Sequence, residues 1–451
     1  MQVTGDLTGT QGNIGVYSTD RNKDKEIFAK VATSNDTLLT VDARLASNDE
    51  TNLTTADACS NDLIPTGDAH LSSLQSTDEL VWGKPKVDPS DYVCQIAEDK
   101  AAGAATYKYK SINAAINACP VGTTESDHRT IEMLVKERQL DDEPGFDDKP
   151  GYEVNIHKAH NITFTTACEA DFEGEGHEYA PTATWYRSSH MGSSPNFIYM
   201  LNLDEGTDTS RTNAIVSLAN IKLDGKGGSL TANASAVYVS NPSHGFLNFV
   251  KESRAGFPEE QQKGPVITNN KIVQPSDYFA AVGFQGDTFR MEAGEIYNNT
   301  SSAEKSQHTY GAGVYVRSNT SGSNSNFVMT GGSIHDNTAK ATYSTSGGTT
   351  YAEGAGVYVG SLGTFEMNGT DASNPALIYN NHAYHSATAT NFTPCAHGGG
   401  VFSNGPFTMD GYSKIYDNKA TIASATTSTT YTPSVQGGGI YVGGSTFNYK
   451  S

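Results

Sequence analysis

Apolar and polar residues alternate in short segments along the second half of the chain. In "GAGVYV", which begins at Gly311, Val314 and Val316 fall on one face of an extended strand and Tyr315 falls on the other. Phe327 and Met329 share a face in the same way. Gly, Asn and Asp stand at the junctions between such segments, as turns require. The pattern predicts short strands separated by turns, and no long helix.

The alternating segments form a repeat. "GAGVYV" at 311 returns as "GAGVYV" at 354, "GGGVFS" at 398 and "GGGIYV" at 437, and Phe-x-Met-x-Gly and Ile-x-x-Asn segments follow the earlier copies. The aligned branched residues are Val282, Val314, Val357, Val401 and Ile440, at spacings of 32, 43, 44 and 39. Unequal spacing between constant segments indicates surface loops inserted into a stacked scaffold. The repeats are clearest over 279–451.

Three short strands cannot bury an apolar face alone, so the units are expected to stack as a parallel β-solenoid with three strands per coil. Stacking would place equivalent residues in columns: Val314 on Val357 and Val401, Phe327 on Phe365 and Phe407, Ile334 on Ile378 and Ile415. An asparagine ladder would accompany them, made of Asn270, Asn299, Asn337, Asn381 and Asn418. Because this amide recurs in every coil, it is interpreted as a structural turn residue.

The first half of the chain divides into three parts. Residues 1–80 contain strand-like pieces ("QVTGDL", "NIGVYST", "EIFAKV", "TLLTVDARL") around a polar stretch from Ala46 to His70 that is interpreted as loop. Residues 81–104 are expected to be a linker. A short helix that Ser111 caps and Pro120 ends then precedes a strand series, so the solenoid is predicted over 105–451 with this helix covering its first coil.

Charge and composition narrow the class of partner. The chain has 451 residues and a net charge of -20, which argues against nucleic acid and anionic lipid. It has no apolar run long enough to span a membrane and no signal peptide after Met1. Five cysteines do not make a disulfide framework. The abrupt start and the incomplete last repeat suggest a fragment, with the rest of a longer polypeptide at both ends and its export signal and anchor outside it.

The motif "YKSINAAINAC", an irregular strand series, and the Gly-Gly-Gly-Val and Ile-x-x-Asn repeats together resemble the right-handed parallel β-helices of the pectate-lyase-like superfamily. The repeats are similar to those of bacterial surface proteins and adhesins, including polymorphic outer-membrane proteins. Residues 1–80 resemble the closing coil of a preceding β-helix domain in such proteins. The resemblance implies an all-β, right-handed β-helix and a secreted, cell-surface location. It is less specific for function, because this fold supports lyases, hydrolases and adhesins.

Catalysis on such a scaffold would require a unique cluster of carboxylates or a basic residue. The positions between Phe and Met in the repeats are Arg290, Val328, Glu366 and Thr408, and those after Ile-x are Asn298, Asp336, Asn380 and Asp417. Neither row makes a carboxylate cluster. Asp224 in "IKLDGKGGS" is interpreted as a turn residue. A polysaccharide lyase or glycoside hydrolase acting on uronic-acid-rich polysaccharide stays the alternative function.

Two segments contain residue types that bind metal ions. His382, His385, Cys395 and His397 are zinc-binding types, but their spacing matches no familiar site and they are interpreted as a polar insert. The acidic run "LDDEPGFDDKPGYE" at 140–153 lacks the ligand pattern of a calcium loop. The sequence therefore predicts no metal site and no cofactor, and calcium is the one alternative left open, without a supporting motif.

Two rows of aromatic residues are the candidate binding residues. Tyr315, Tyr358, Phe402 and Tyr441 would stack outward from the first strand, and Tyr297, His335, Tyr379 and Tyr416 from the third. Stacked rings also stabilise neighbouring strands, which is the simpler interpretation. With both rows exposed, the sequence predicts a stalk or adhesive module of a secreted bacterial surface protein, binding a host or microbial glycan or protein, without catalysis of its own.

Overall fold

The computed structural model describes four strands within the first 91 residues, and then residues 92–143, 153–156, 158–174, 178–188, 198–200, 214–226, 234–239, 245–273, 279–304, 308–317, 324–343, 349–387, 393–423 and 432–450. The chain divides into two compact units, Met1–Asp91 and Tyr92–Ser451. In the first unit Gly12–Tyr17 pairs in parallel with Leu39–Arg44, and Leu63–Pro65 pairs antiparallel with Leu80–Trp82.

The first unit agrees with the sequence in part. Strands form in "NIGVYST" and "TLLTVDARL" as expected, while "QVTGDL" and "EIFAKV" lie outside the described residues. The strand Leu63–Pro65 lies within the polar stretch that the sequence indicates is loop, so the loop interpretation is wrong at these three residues. The stretch is polar over most of its length, so its composition gives little signal for a strand of three residues.

The second unit is built on three long sheets, which we name by the order of their strands in the repeat. The first-strand sheet contains Val154–Ile156, Ile198–Met200, Val237–Val239, Val282–Phe284, Val314–Val316, Val357–Val359, Val401–Ser403 and Ile440–Val442. The second-strand sheet contains Cys94–Ile96, Lys108–Tyr109, Arg129–Met133, Asn161–Thr166, Ile215–Leu218, Phe246–Phe249, Thr288–Met291, Ser325–Met329, Gly363–Gly369, Phe407–Gly411 and Phe447–Tyr449. The third-strand sheet contains Glu137–Gln139, Ala183–Tyr186, Ile221–Asp224, Val266–Thr268, Glu295–Tyr297, Gly332–His335, Ala376–Tyr379 and Ser413–Tyr416.

The chain visits the three sheets in turn, so that each repeat lies on the next in parallel register. Val314 pairs with Val357, Phe327 with Phe365, and Ile334 with Ile378. These side chains are buried in one core cluster that runs from Val93 to Met409. Phe289, Phe327, Phe365 and Phe407 stack in this core with ring centroids 4.7, 4.7 and 4.8 Å apart. The predicted columns and the all-β, parallel stacking are confirmed.

Two further sheets lie in segments that the unequal repeat spacing indicates are loops. The fourth-strand sheet contains Lys271–Val273, Thr300–Glu304, Thr338–Tyr343, His382–Ala387 and Lys419–Ala423. The fifth-strand sheet contains Thr309–Tyr310, Thr349–Glu353, Thr393–His397 and Ser434–Gln436. Several coils after residue 270 therefore have more than three strands. Their Thr, Ser, Ala and His residues alternate across the strand but carry little apolar signal, which is why composition alone indicates loops.

The coil corners are fixed by the asparagine ladder. Asn337 donates from Nδ2 to Asn381 Oδ1 at 3.0 Å and to the Ile296 carbonyl at 2.9 Å. The preceding residue, Asp336, has a left-handed φ of 53°, as do the equivalent Asn298, Asn380 and Asp417 at 54°. Asn and Asp tolerate this conformation better than other non-glycine residues. The predicted structural role of the ladder is confirmed.

Short helices cover the beginning of the second unit. They are α1 (Ala97–Ala101), α2 (Ile112–Ala118) and α3 (Glu169–Gly174), with 3₁₀ turns at Glu125–Asp127 and Leu140–Asp142. A further 3₁₀ turn, Glu259–Gln261, lies near the middle of the unit. Ser111 caps α2 by accepting the Ala114 N–H at 3.1 Å, as predicted. Ile112 and Ile116 belong to the core cluster of the coils, so α2 packs its apolar face onto them. Part of the expected linker 81–104 is structured, since it contains Cys94–Ile96 and α1.

Candidate binding surface

The ring row of the third-strand sheet is a continuous stack on the surface. Tyr297 and His335 have centroids 5.0 Å apart, His335 and Tyr379 4.6 Å, and Tyr379 and Tyr416 5.1 Å, with planes within 9° of parallel. Strand register sets this geometry, because each residue is the direct partner of the next. Tyr297, His335 and Tyr379 are half-buried, and Tyr416 is 41% exposed. We call these four residues the ring ladder.

The ring ladder offers ring edges rather than ring faces. Stacking at about 5 Å leaves no room for a ligand between planes, so the inner faces are occupied by neighbouring rings. The part of the ladder that reaches solvent belongs mainly to the tyrosines, because the His335 side chain is only 12% exposed and its Nε2 is buried. Burial, and then the neighbouring Tyr416, raises the pKa of Tyr379, which keeps its hydroxyl protonated as a hydrogen-bond donor.

Most of the ring row of the first-strand sheet is not exposed to solvent. Tyr315, Tyr358 and Phe402 stack as predicted, with centroids 5.2 and 5.0 Å apart, and Tyr441 follows at 5.2 Å. Tyr315, Tyr358 and Phe402 are buried, however, with only 7% of Tyr358 exposed. The prediction of an exposed row is therefore wrong for these three residues.

The fifth-strand sheet explains that burial. Tyr310, in this sheet, lies 4.7 Å from the ring of Tyr358, and His397 lies 4.8 Å from the ring of Tyr441. Side chains from the inserts thus pack over the row that the sequence leaves open to solvent. Tyr441 remains half-buried at the end of the row. Of the two candidate rows, only the ring ladder keeps a sizeable part of its surface accessible.

The remaining polar positions of the repeats serve turns or stay apart. Asp224 accepts the Lys226 N–H at 2.8 Å and holds Lys222 Nζ at 2.8 Å, so it closes a turn. Arg290, Val328, Glu366 and Thr408 lie in register on the second-strand sheet and bring no two carboxylates together.

The zinc-type residues do not form a ligand cluster. His382 and His385 lie on the fourth-strand sheet, and Cys395 and His397 lie on the fifth-strand sheet. Within the described residues no three His, Cys, Asp or Glu side chains converge as metal ligands. Most of the acidic run, residues 144–152, lies outside the described part, and Glu143 is occupied in accepting the N–H groups that begin α2.

The structure contains an ionic network around two buried carboxylates that the sequence did not predict. Arg254 Nη1 bonds Glu132 Oε1 at 2.7 Å, and its Nη2 bonds Glu252 Oε2 at 2.8 Å. Gln95 and Thr165 donate to the other carboxylate oxygen of Glu132 and to Glu252, respectively. Burial raises the pKa of Glu132, whereas at Glu252 the hydrogen bonds from Arg254 outweigh burial and lower the pKa. Arg254 and Glu132 are 122 positions apart, too far for any motif. The occupied, buried carboxylates hold the segment after residue 250 onto the sheet.

The described residues define an all-β protein whose second unit is built from sheets of mostly parallel strands. Comparison with protein-family models, with curated proteins and with solved structures finds no match. Among the described residues no helix has the length and apolar character needed to cross a bilayer.

Proposed function

We propose that this chain is a binding module of a secreted bacterial cell-surface protein, folded as a right-handed parallel β-helix whose ring ladder contacts the ligand. Three strands of each coil form the constant frame of that helix, and the fourth and fifth strands are additions to it. The repeats and their resemblance to β-helical surface proteins support the location and handedness. An extracellular glycan or protein is the proposed partner.

The observation that carries the proposal is the ring ladder, which is partly exposed and most so at Tyr416. Rings spaced by about 5 Å along one line, three of the four carrying a hydroxyl, suit an extended, hydroxyl-rich ligand lying parallel to that line. Aromatic edges carry partial positive charge and hydroxyls both donate and accept, so a neutral or acidic glycan fits this surface better than an apolar one. The net charge of -20 opposes nucleic acid.

The test is a glycan array and a panel of immobilised surface proteins probed with the full chain. We expect the double variant Tyr379→Ser, Tyr416→Ser to lose binding by at least about tenfold, since it removes two adjacent rings and hydroxyls of the row. Tyr384→Ser is the matched control, because Tyr384 is also half-buried but lies on the fourth-strand sheet. Equal loss in the control, or unchanged binding in the double variant, would show that the ladder is not the binding surface.

A separate assay tests the alternative function as a polysaccharide lyase or glycoside hydrolase. The chain is incubated with uronic-acid polymers, with and without calcium, and the products are followed by ultraviolet absorbance and chain length. We expect no cleavage, because the outward positions of the second-strand sheet bring no two carboxylates together at Arg290, Val328, Glu366 and Thr408. Unsaturated or shortened products that persist in the double ladder variant would replace the binding proposal with the enzymatic one.

A further inference from the structure

Three side chains on successive strands of the fifth-strand sheet form a hydrogen-bonded chain. His397 Nδ1 lies 2.9 Å from Glu353 Oε1, and His397 Nε2 lies 2.9 Å from Ser434 Oγ. Glu353 is the direct strand partner of His397. Ser434 pairs with Cys395, two residues before His397, and so lies on the same face of the sheet. The stacking of three coils thus aligns a carboxylate, an imidazole and a hydroxyl.

The direction of the protons follows from the chemistry of the groups. An ionised carboxylate only accepts hydrogen bonds, so a neutral His397 carries its proton on Nδ1 and donates it to Glu353. Nε2 is then left with a lone pair, and Ser434 must donate its hydroxyl hydrogen to that nitrogen. This is the arrangement in which an imidazole acts as the general base for a serine hydroxyl.

The surroundings hold the imidazole in place, and Ser434 is only partly buried. Glu353 is 5% exposed and His397 6%, and the ring of Tyr441 stacks on His397 at 4.8 Å with an interplanar angle of 14°. Ser434 is half-buried and lies on the last strand of its sheet. Burial raises the pKa of Glu353, and the hydrogen bond from His397 opposes this rise without cancelling it. A reactive group would thus reach Ser434 from solvent, whereas the base and its carboxylate are shielded.

Two other histidines of the unit, His382 and His128, show how the contacts of His397 differ. His382 Nε2 bonds Thr421 Oγ1 at 2.6 Å, and His128 Nε2 bonds Thr163 Oγ1 at 2.9 Å, so contacts between histidine and hydroxyl across coils recur in this fold. For His128 the nearest carboxylate oxygen, from Glu98, is 3.7 Å from Nδ1, which is too long for a hydrogen bond. Of these three, His397 alone has a carboxylate hydrogen-bonded to its second nitrogen and a serine as its hydroxyl partner.

We propose that Ser434, His397 and Glu353 form a hydrolytic site for carboxylic esters of small acyl groups, an activity beyond ligand binding. Ser434 Oγ bonds to the acyl carbon while its proton passes to His397 Nε2. The bond from the acyl carbon to the alcohol oxygen breaks, and His397 returns that proton to the leaving alcohol. Water then attacks the acyl-serine, its proton passes through His397 back to Ser434 Oγ, and a carboxylic acid leaves. Glu353 is the positioning residue that holds the imidazole in the required tautomer.

This assignment gives His397 a role different from the metal ligand considered at the sequence level. It also departs from the expectation of a module without catalysis. A small acyl group is the proposed substrate because Ser434 is only partly buried and lies on the last strand of its sheet, beside the shielded His397. An active site on a repetitive scaffold is expected to be a group of residues that does not recur from coil to coil. The hydrogen bonds between Glu353, His397 and Ser434 meet this expectation, because they join three different residue types.

The test is labelling of the full chain with a fluorophosphonate probe, followed by peptide mapping, together with hydrolysis of p-nitrophenyl acetate from acidic to mildly alkaline pH. We expect phosphonylation at Ser434 and none in Ser434→Ala. Glu353→Gln should slow labelling by roughly 10²- to 10⁴-fold and change the pH profile of hydrolysis, since the wrong tautomer is then stabilised. Thr421→Ala, which removes the hydroxyl bonded to His382, is the control and should label as the parent chain does.

If Glu353→Gln disturbs folding, a second variant, Ser434→Cys, tests the contact between His397 and residue 434. In Ser434→Cys the new thiol should react with iodoacetamide at neutral pH at least about tenfold faster than in the double variant Ser434→Cys, His397→Gln, because an adjacent imidazole promotes the thiolate. Circular dichroism and thermal melting establish that each variant is folded. A folded parent chain that is not phosphonylated at Ser434 would overturn the proposal. A thiol reactivity in Ser434→Cys that does not depend on His397 would do the same and leave the contact as packing alone.

Discussion

The asparagine at each coil corner uses the hydrogen-bonding capacity of its amide fully. Asn337 Nδ2 donates two hydrogen bonds, and its Oδ1 accepts from the backbone N–H and from Nδ2 of Asn299, at 3.1 and 3.0 Å. Four bonds are the limit for an amide side chain. A residue with this requirement recurs at the same place in every coil, which is why the sequence alone could predict the ladder and its structural role.

His385 illustrates a residue whose environment the sequence could not reveal. It is fully buried, Thr350 Oγ1 lies 2.6 Å from its Nε2, and burial lowers its pKa to about 4. Because the pKa is lower in the folded chain than in the unfolded one, the unfolded state binds more protons between about pH 4 and 6.5. The contribution of His385 to stability is therefore complete above about pH 6.5 and is lost as the pH falls toward about 4.

We expect this loss to reach up to roughly 3 kcal/mol between about pH 7 and 4 in the parent chain relative to His385→Gln. Urea unfolding at a series of pH values measures it, and the difference between the two proteins cancels opposing contributions from buried carboxyls such as Glu132. His382→Gln is the control and should show a smaller pH-dependent difference, because His382 is half-exposed. Parallel stability curves for the parent chain and His385→Gln would mean that His385 is not held neutral.

At the scale of the element, the fourth and fifth strands mark the limit of prediction from sequence. Strands such as Val357–Val359 are recognisable by branched apolar residues, because their inward side chains fill the core. Thr349–Glu353 and Thr393–His397 are held by backbone pairing to their neighbours in the stack, and neither contributes a residue to the core cluster. Pairing of this kind has no hydrophobic signature. Without these strands the repeat predicts an exposed Tyr358, and nothing in the sequence brings Ser434, His397 and Glu353 together.

The corrected position of the first-strand ring row changes the expected cost of substitutions there. Tyr358→Ser should destabilise the chain by about 3–5 kcal/mol, as for other large buried aromatic side chains, because it leaves a cavity between two stacked rings. Tyr416→Ser should cost about 1 kcal/mol or less, since Tyr416 is the exposed end of the ring ladder. Val357→Asp should be worse than both, because it places a carboxylate in the core.

Denaturant unfolding monitored by circular dichroism ranks these three variants. The order Val357→Asp, then Tyr358→Ser, then Tyr416→Ser is the expected result. Equal effects of Tyr358→Ser and Tyr416→Ser would mean that the fifth-strand sheet does not cover the first-strand ring row in solution.

At the scale of the whole unit, one principle explains what the sequence predicted well. A stacked scaffold repeats its environment from coil to coil, so register, core columns and corner residues can be derived from the repeat itself. Sites are harder, because they depend on features that occur once. The ionic network of Arg254 joins residues more than a hundred positions apart, and the Ser434 contact depends on two strands in variable inserts. The ring ladder was predictable because it belongs to the repeat.

Stability should fall along the stack toward the strands 440–442 and 447–449. Side chains of Ile440–Val442 are half-buried and those of Phe447–Tyr449 are exposed, whereas those of the equivalent Val357–Val359 are buried. Local opening follows the number of buried contacts. We expect amides of 437–450 to exchange with solvent at least about tenfold faster than those of 354–367, measured by hydrogen exchange and mass spectrometry.

The exposed strand Phe447–Tyr449 should promote association of this 451-residue chain. Phe447 and Tyr449 are 40% and 65% exposed, and they lie on the last strand of the second-strand sheet, next to Phe407–Gly411. An exposed apolar strand of this kind pairs with other chains. Light scattering over a concentration series should therefore detect growing particles, and Phe447→Lys with Tyr449→Lys should suppress them. If amides of 437–450 exchange as slowly as those of 354–367 in a sample that scatters as a monomer at every concentration, a contact that covers this face has to exist within the chain itself.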